Sequence, residues 1–371
     1  MFVLYAILWY DYVHKRVKKK EGINILDIKK YEYSKHNCFD ISKVSTSETG
    51  EFKSKQEAMD EFYANLDKIT GLQAKLYAER KEGVIFVFQA MDAAGKDGVI
   101  RTVFERLTPH GVKEFCFKAP TAEELTHDYL WRFNKALPAK GNISIFNRSY
   151  YEDVLIGKVH KLYENQPMPD RMKKSDIIKQ RYKQINAYEN YLYSTGTRVV
   201  KIFLNVSKDE QARRFVSRID VKKKNWKISK GDISEREYWD EYQQAFEDMV
   251  NATSSKDCPW YVVPADNKWY ERLIVSRIVL HTLEKMDPHF PTISKDELED
   301  VMSYRESLVS SITDKRVLKL MKKDVKKDKT CDTAEAVAVC STSIAEAKPI
   351  VASGVDLGQD KLSVRESDKK K

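Results

Sequence analysis

The stretch VIFVFQAMDAAGKDGVI, Val84–Ile100, decides how this 371-residue chain folds. Val84–Phe88 is a run of apolar residues without polar alternation. Such a run suits a strand covered on both faces of a parallel sheet. A small-residue turn follows, and then Val99, Ile100, Val103, Phe104 and Leu107 recur at helical spacing. Strand, small-residue turn and helix N-terminus form the context that a phosphate-binding P-loop requires. The backbone amides of Ala93, Ala94, Gly95, Lys96, Asp97 and Gly98 can cradle an anion there, and the Lys96 side chain adds a point charge. The match to G-x-x-x-x-G-K-[ST] departs at two places: Ala90 replaces the first Gly and Asp97 replaces the Ser/Thr. Asp92 inside the loop would repel bound phosphate unless it holds Mg²⁺ or orients the attacking group. On these residues alone, a chance Gly-Lys turn after a buried strand stays open as the plainer reading.

Outward from this stretch the chain alternates helix and strand. Ala58, Phe62, Leu66, Ile69 and Leu72 predict a helix over 52–79. Apolar runs at Phe115–Ala119, Ile143–Phe146, Val199–Val206 and Trp260–Val263 predict four further strands. Thr121 with Glu124, Ser207 with Glu210 and Ser234 with Glu237 read as capping boxes that open helices. The expected fold is α/β: a mostly parallel five-stranded sheet between helices, three layers in all, with ligands beyond the carboxyl ends of the strands.

Two further segments carry chemistry. The strand Ile143–Phe146 runs into Asn147-Arg148-Ser149-Tyr150-Tyr151-Glu152-Asp153. Arg148 can grip phosphate oxygens bidentately, and Glu152 and Asp153 can complete a Mg²⁺ shell with Asp92. An ordinary helix start, which also favours acids, is the alternative. Between Lys208 and Lys230 lie nine basic and three acidic residues. Arg214 and Arg218 share a helix face, and Lys222, Lys223, Lys224 and Lys227 follow in a Gly-poor loop. That arm suits a lid closing on phosphates, with a solvated charged face as the alternative.

Charge locates these features further. The formal net charge is +9. Lys15–Lys20, Lys208–Lys230 and Lys315–Lys329 carry +5, +6 and +6, which leaves the rest of the chain net −8. A polyanionic partner is expected at the middle cluster. No RNA-recognition signature or zinc-finger spacing accompanies it, so nucleic acid is not the expected partner. Apolar residues make up 42%, which excludes a globally disordered chain. Five cysteines without a CxxC pair fit a reducing cytosol rather than a disulfide framework. Met1–Tyr10 is wholly apolar but only about half the length of a membrane span. With the basic cluster behind it, it could rest weakly on a membrane surface, or be a simple extension. One more helical pattern runs from Lys295 to about Met321, and disorder is expected from about residue 325. Three parts are therefore expected: an N-terminal extension over 1–22, a catalytic domain over 23–292 with a lid at about 207–233, and a C-terminal helix and tail over 293–371.

Taken together, QAMDAAGKDGVI (Gln89–Ile100), APTAEELTHDYLWR (Ala119–Arg132), IFNRSYYEDVL (Ile145–Leu155), Val206–Arg218, Trp226-Lys227 and PWYVVPADNKWY (Pro259–Tyr270) resemble the polyphosphate kinase 2 family. The resemblance implies a P-loop kinase fold with a helical lid. It implies Mg²⁺-dependent, reversible phosphoryl transfer between inorganic polyphosphate and nucleotides, AMP to ADP and ADP to ATP, with guanine nucleotides as further candidates. Asn147 stands where many members have Asp, Tyr150 where His is frequent, and Val221-Lys222 where Asp-Pro is common. Asn147 followed by Glu152-Asp153, with Gly95-Lys96-Asp97-Gly98, is similar to the subgroup acting on both mono- and diphosphates. Asp92, Lys96, Arg148, Glu152 and Asp153 are then the expected catalytic residues, with Arg214, Arg218, Lys224 and Lys227 gripping phosphates. A cytoplasmic homo-oligomer, dimer or tetramer, is expected. An ATP-dependent nucleoside monophosphate kinase and a non-catalytic polyanion-binding protein are the competing readings.

Overall fold

The computed structural model describes residues 25–36, 38–50, 52, 54–173 and 176–328. Both terminal extensions, and with them the membrane-surface and disordered-tail expectations, lie largely outside the described residues. The chain divides into two compact units, Met1–Phe290 and Pro291–Lys371.

The first unit is built on a sheet of strands β1 (Glu32–Tyr33), β2 (Gly83–Ala90), β3 (Val112–Cys116), β4 (Ile143–Asn147), β5 (Thr197–Asn205) and β6 (Trp260–Pro264). Their order is β1-β6-β5-β2-β4-β3, and every pairing is parallel except β1 with β6. The five expected strands are therefore joined by a sixth. Its two residues have no periodicity to read; they are a strand only because Glu32 and Tyr33 meet Tyr261 and Trp260.

Every residue of β4 and β6 is buried. Successive side chains point to opposite faces, so both faces of the sheet are covered. β3 lies at the edge and is mostly exposed. It also starts three residues earlier than the run Phe115–Ala119 suggested. The aromatic signal there came from packing: Phe117 lies just past the end of β3, its N–H on Asn147 O (3.0 Å) and its ring 4.4 Å from Phe133 and 5.2 Å from Phe146, centroid to centroid.

The principal helices of this unit are α1 (Lys55–Glu79), α2 (Lys96–Phe104), α3 (Ile177–Ser194), α4 (Lys208–Asp220), α5 (Trp239–Thr253) and α6 (Lys268–Met286). Ser54 caps α1, and Ala58, Phe62, Leu66 and Ile69 form its buried stripe as the spacing requires. That stripe lies on α6, where Asn65 Nδ2 donates to Ser276 Oγ at 3.1 Å. The three capping boxes fare differently. Thr121–Glu124 is complete. Ser207 accepts from the Glu210 amide, but the Glu210 carboxylate turns to Arg213 and Arg214 instead. Ser234 ends a short helix, Lys230–Ser234, that Ser229 and Asp232 open, so its pairing with Glu237 does not form.

The second unit holds α7 (Lys295–Ser311) and α8 (Lys315–Asp328) where one helix was expected. The break falls at Ile312–Asp314, where the Asp314 carboxylate accepts from the Arg316 amide. A short acceptor beside free amides favours a new helix start over continuation.

Candidate active site

The parallel strands deliver their carboxyl ends to one edge, where Phe88 of β2 is level with Asn147 of β4 and Ala90 with Leu204 of β5. The turn Met91–Gly95 leaves β2 there and enters α2. Ala93 and Gly95 both have positive φ, 63° and 122°. Glycine is required at 95 on two grounds: the backbone angle, and an added Cβ that would sit 3.1 Å from a Glu271 carboxyl oxygen. No side chain caps α2, so its first amides are left to a ligand.

Four of the expected residues gather on this turn. Lys96 is buried and its Nζ donates to Ala90 O at 2.9 Å. An ammonium has three N–H groups, so two remain for phosphate oxygens. Arg148 sits at φ 65°, an uncommon angle for a non-glycine residue, and its Nη2 donates to Asp92 Oδ1 at 2.7 Å. Glu152 is the fourth, within the electrostatic reach of Lys96, Arg148 and Asp92. Burial alone would push Asp92 up, but Lys96 and Arg148 outweigh it and hold the carboxyl below its ordinary value. Burial lowers Lys96, partly offset by Asp92. Burial also raises Glu152, against the pull of Arg148 and Lys96.

Asp153 is not part of this cluster. Tyr150–Val154 is a 3₁₀ turn, in which neighbouring side chains diverge by about 120°. Glu152 therefore faces the loop while Asp153 faces Gln166 and Arg181. Among the described residues no three His, Cys, Asp or Glu side chains gather as a metal cluster. Asp92 and Glu152 remain as a pair of oxygen donors, one of them disfavoured as a buried anion. That donor set fits Mg²⁺, which is commonly held by one or two carboxylates plus substrate phosphates.

The arm after β5 also divides in two. Arg214 borders the cavity, but it is buried and its guanidinium is spent on the loop and its neighbours. Its Nε donates to Glu210 Oε1 (2.7 Å), its Nη1 to the carbonyls of Ala93 (3.1 Å) and Ala94, and its Nη2 to those of Ala265 (2.6 Å) and Asp266 (3.2 Å). Gln211 Nε2 adds a bond to Asp92 O at 2.9 Å. Helix α4 is thus bolted to the phosphate-binding turn. Beyond it, Lys222–Lys227 forms a 3₁₀ turn folded back on α4, with Lys224 Nζ on Ser217 Oγ (2.8 Å) and Arg218 Nη1 on Lys227 O (3.1 Å).

Between turn and arm lies a cavity of about 760 Å³, lined by ten basic and four acidic residues. The size falls within the roughly 300–1,000 Å³ of small-ligand sites. Asp92, Lys96, Asp97, Gly98, Arg148, Arg218, Lys224 and Lys227 all line it. Asp97 accepts from Asn147 Nδ2 at 2.9 Å, so the Asn at the end of β4 orients the first turn of α2.

The model described as Polyphosphate kinase 2 (PPK2) matches residues 52–291, which contain this whole arrangement. The chain belongs to the polyphosphate kinase 2 family. An ADP-polyphosphate phosphotransferase of Rhodopseudomonas palustris is 42% identical over 284 residues, 76% of this chain and 98% of the relative. An AMP/ADP-polyphosphate phosphotransferase of Meiothermus ruber is 40% identical over 265 residues, 71% of this chain and 96% of that protein. The crystal structure of polyphosphate kinase 2 from Arthrobacter aurescens aligns with a TM-score of 0.68 and 36% identity, covering 76% of this chain and 95% of its own.

Several residues of this candidate site in the polyphosphate kinase 2 chain escape a reading of the sequence. Arg101, Lys268 and Arg272 line the cavity from α2 and α6; the i,i+4 spacing of Lys268 and Arg272 was the available signal. Beneath the site, Lys201 Nζ donates to Glu189 Oε2 (2.7 Å) and Thr253 O (2.6 Å), while the hydroxyls of Tyr150 and Tyr151 donate to Glu189 Oε1 at 2.8 and 2.7 Å. This buried network pins the turn that carries Glu152. Its trace in the sequence is the lysine inside the apolar run Val199–Val206.

Proposed function

We propose that this polyphosphate:nucleotide phosphotransferase converts AMP to ADP and ADP to ATP, with Mg²⁺, at the cavity over the turn Asp92–Gly98. The observation that carries this reading is the meeting of Lys96 with the Asp92–Arg148 pair at a helix N-terminus, facing a basic arm. Polyphosphate lies along the basic lining with its terminal phosphoryl over Gly95 and Lys96. Lys96 and the α2 amides stabilise the charge that develops on the transferring group. Arg148, Arg218 and Lys227 hold donor and acceptor phosphates in line. Asp92 and Glu152 would hold Mg²⁺, which supplies charge neutralisation between the two phosphate chains. The acceptor oxygen is already ionised at neutral pH, so no strong general base is required.

Trp226 is proposed as the platform for the nucleotide base. Among the described residues it is the single aromatic side chain lining the cavity, and it is 78% exposed. Stacking on such a ring is sequence-tolerant, which suits both adenine and guanine acceptors.

The test is to supply ADP and polyphosphate without ATP and to measure ATP, then to repeat with AMP and GDP. ATP formation that requires both polyphosphate and Mg²⁺ supports the reading. Product that forms from AMP only when ATP is the donor would make the protein a nucleoside monophosphate kinase. Salt-sensitive polyphosphate binding without turnover would make it a polyanion-binding protein.

A further inference from the structure

The wall of the cavity holds a carboxyl that the reaction above does not use. Glu271 lies in the first turn of α6 and is 2% exposed, yet it lines the cavity against Gly95. Its two carboxyl oxygens lie 3.1 and 3.2 Å from where a Gly95 Cβ would stand, so the group touches the phosphate-binding turn. Oε1 has no hydrogen-bond partner among the described residues.

The charges facing Glu271 are Arg214 from α4 and Lys268 and Arg272 from its own helix. The turn meets it with the uncharged Gly95. Arg214 cannot serve it as a donor, because a guanidinium has five N–H groups and all five are engaged on Glu210 and four carbonyls. A buried carboxylate without donors is costly. Burial accordingly pushes Glu271 up to about 8 despite the three cations. At neutral pH the group is a neutral acid, which does not repel a polyanion and offers an O–H to it.

We propose that Glu271 couples polyphosphate binding to a proton: the turn accepts the chain with Glu271 protonated, and binding in alkaline solution draws one proton from solvent onto this carboxyl. The proposal rests on the reading that polyphosphate occupies this cavity. Phosphate charge beside Glu271 favours its neutral form further, so bound chain and proton support each other. The sign is therefore set: affinity holds below about pH 8 and falls above it, as the free protein loses the proton that the complex retains.

The experiment is calorimetric titration of the full chain with polyphosphate of defined length and Mg²⁺, in two buffers of different ionisation enthalpy. At about pH 9 the wild type should take up about one proton more than Glu271→Gln. The ratio of their dissociation constants should shift roughly tenfold per pH unit above pH 8. Equal proton counts and parallel pH profiles overturn the proposal. A wild type that takes up no proton at this pH overturns it without a variant, and Glu271→Asp, which keeps a carboxyl, should keep the coupling. Failure of polyphosphate to bind at any pH would instead overturn the functional reading itself.

Discussion

Arg214 offers the sharpest test, because position on a basic helix and position in the structure assign it different work. As an arm residue it would grip phosphate and affect only turnover. In the structure it spends all five N–H groups on Glu210, Ala93, Ala94, Ala265 and Asp266. Arg214→Ala leaves four carbonyls without this donor, and Glu210 keeps only Arg213. Removing one partner of a buried charged network costs about 3–5 kcal/mol. A domain of this size shifts by about 2–4 °C per kcal/mol, so Tm should fall by roughly 6–20 °C. Arg214→Lys should recover little, because a point charge cannot reproduce the planar fork. Arg218→Ala, one turn further along the same face of α4, removes a half-buried pairing with Asp232 at 3.6 Å and should move stability by about 1 kcal/mol or less while weakening substrate binding. Differential scanning calorimetry alongside steady-state kinetics separates these outcomes. A Tm within about 2 °C of wild type, with turnover of Arg214→Ala down about a hundredfold, would refute the buttress and restore the clamp.

Lys96→Ala and Asp92→Asn should each lower turnover with polyphosphate and ADP by about 10²–10³-fold, the scale for losing one preorganised charge contact, and near-native turnover of Lys96→Ala would remove the site assignment. Lys201→Met strands Glu189 in the core and should cost about 3–5 kcal/mol, read as a lower urea midpoint; adding Glu189→Gln should recover part of that loss. Trp226→Ala should raise the nucleotide KM by the equivalent of about 1–3 kcal/mol, with the polyphosphate KM little changed and Trp226→Phe close to wild type. Equal effects on both substrates would place the base elsewhere.

The phosphate-binding turn was legible because its physics is local. A strand, a small-residue turn and a helix start all lie within Val84–Phe104, and each has its own periodicity. The same holds for α1, whose buried stripe follows from the spacing of Ala58, Phe62, Leu66 and Ile69. Where side chains point was not local. Glu152 and Asp153 are neighbours, yet a single 3₁₀ turn sends one to the loop and the other to Arg181. Sequence alone determined the parallel sheet and the strand–turn–helix context suited to an anion, since backbone propensity and hydrophobic period dictate both. Tertiary structure decided which charges face that turn. Arg214 becomes a buttress because carbonyls 120 and 121 residues earlier in the chain lie within reach of its guanidinium. Glu271 is pushed toward its neutral form because the fold buries its carboxyl beside Gly95, far from it in sequence. A charge's role is set by what desolvates it and what donates to it, and the chain brings those groups together only when it folds.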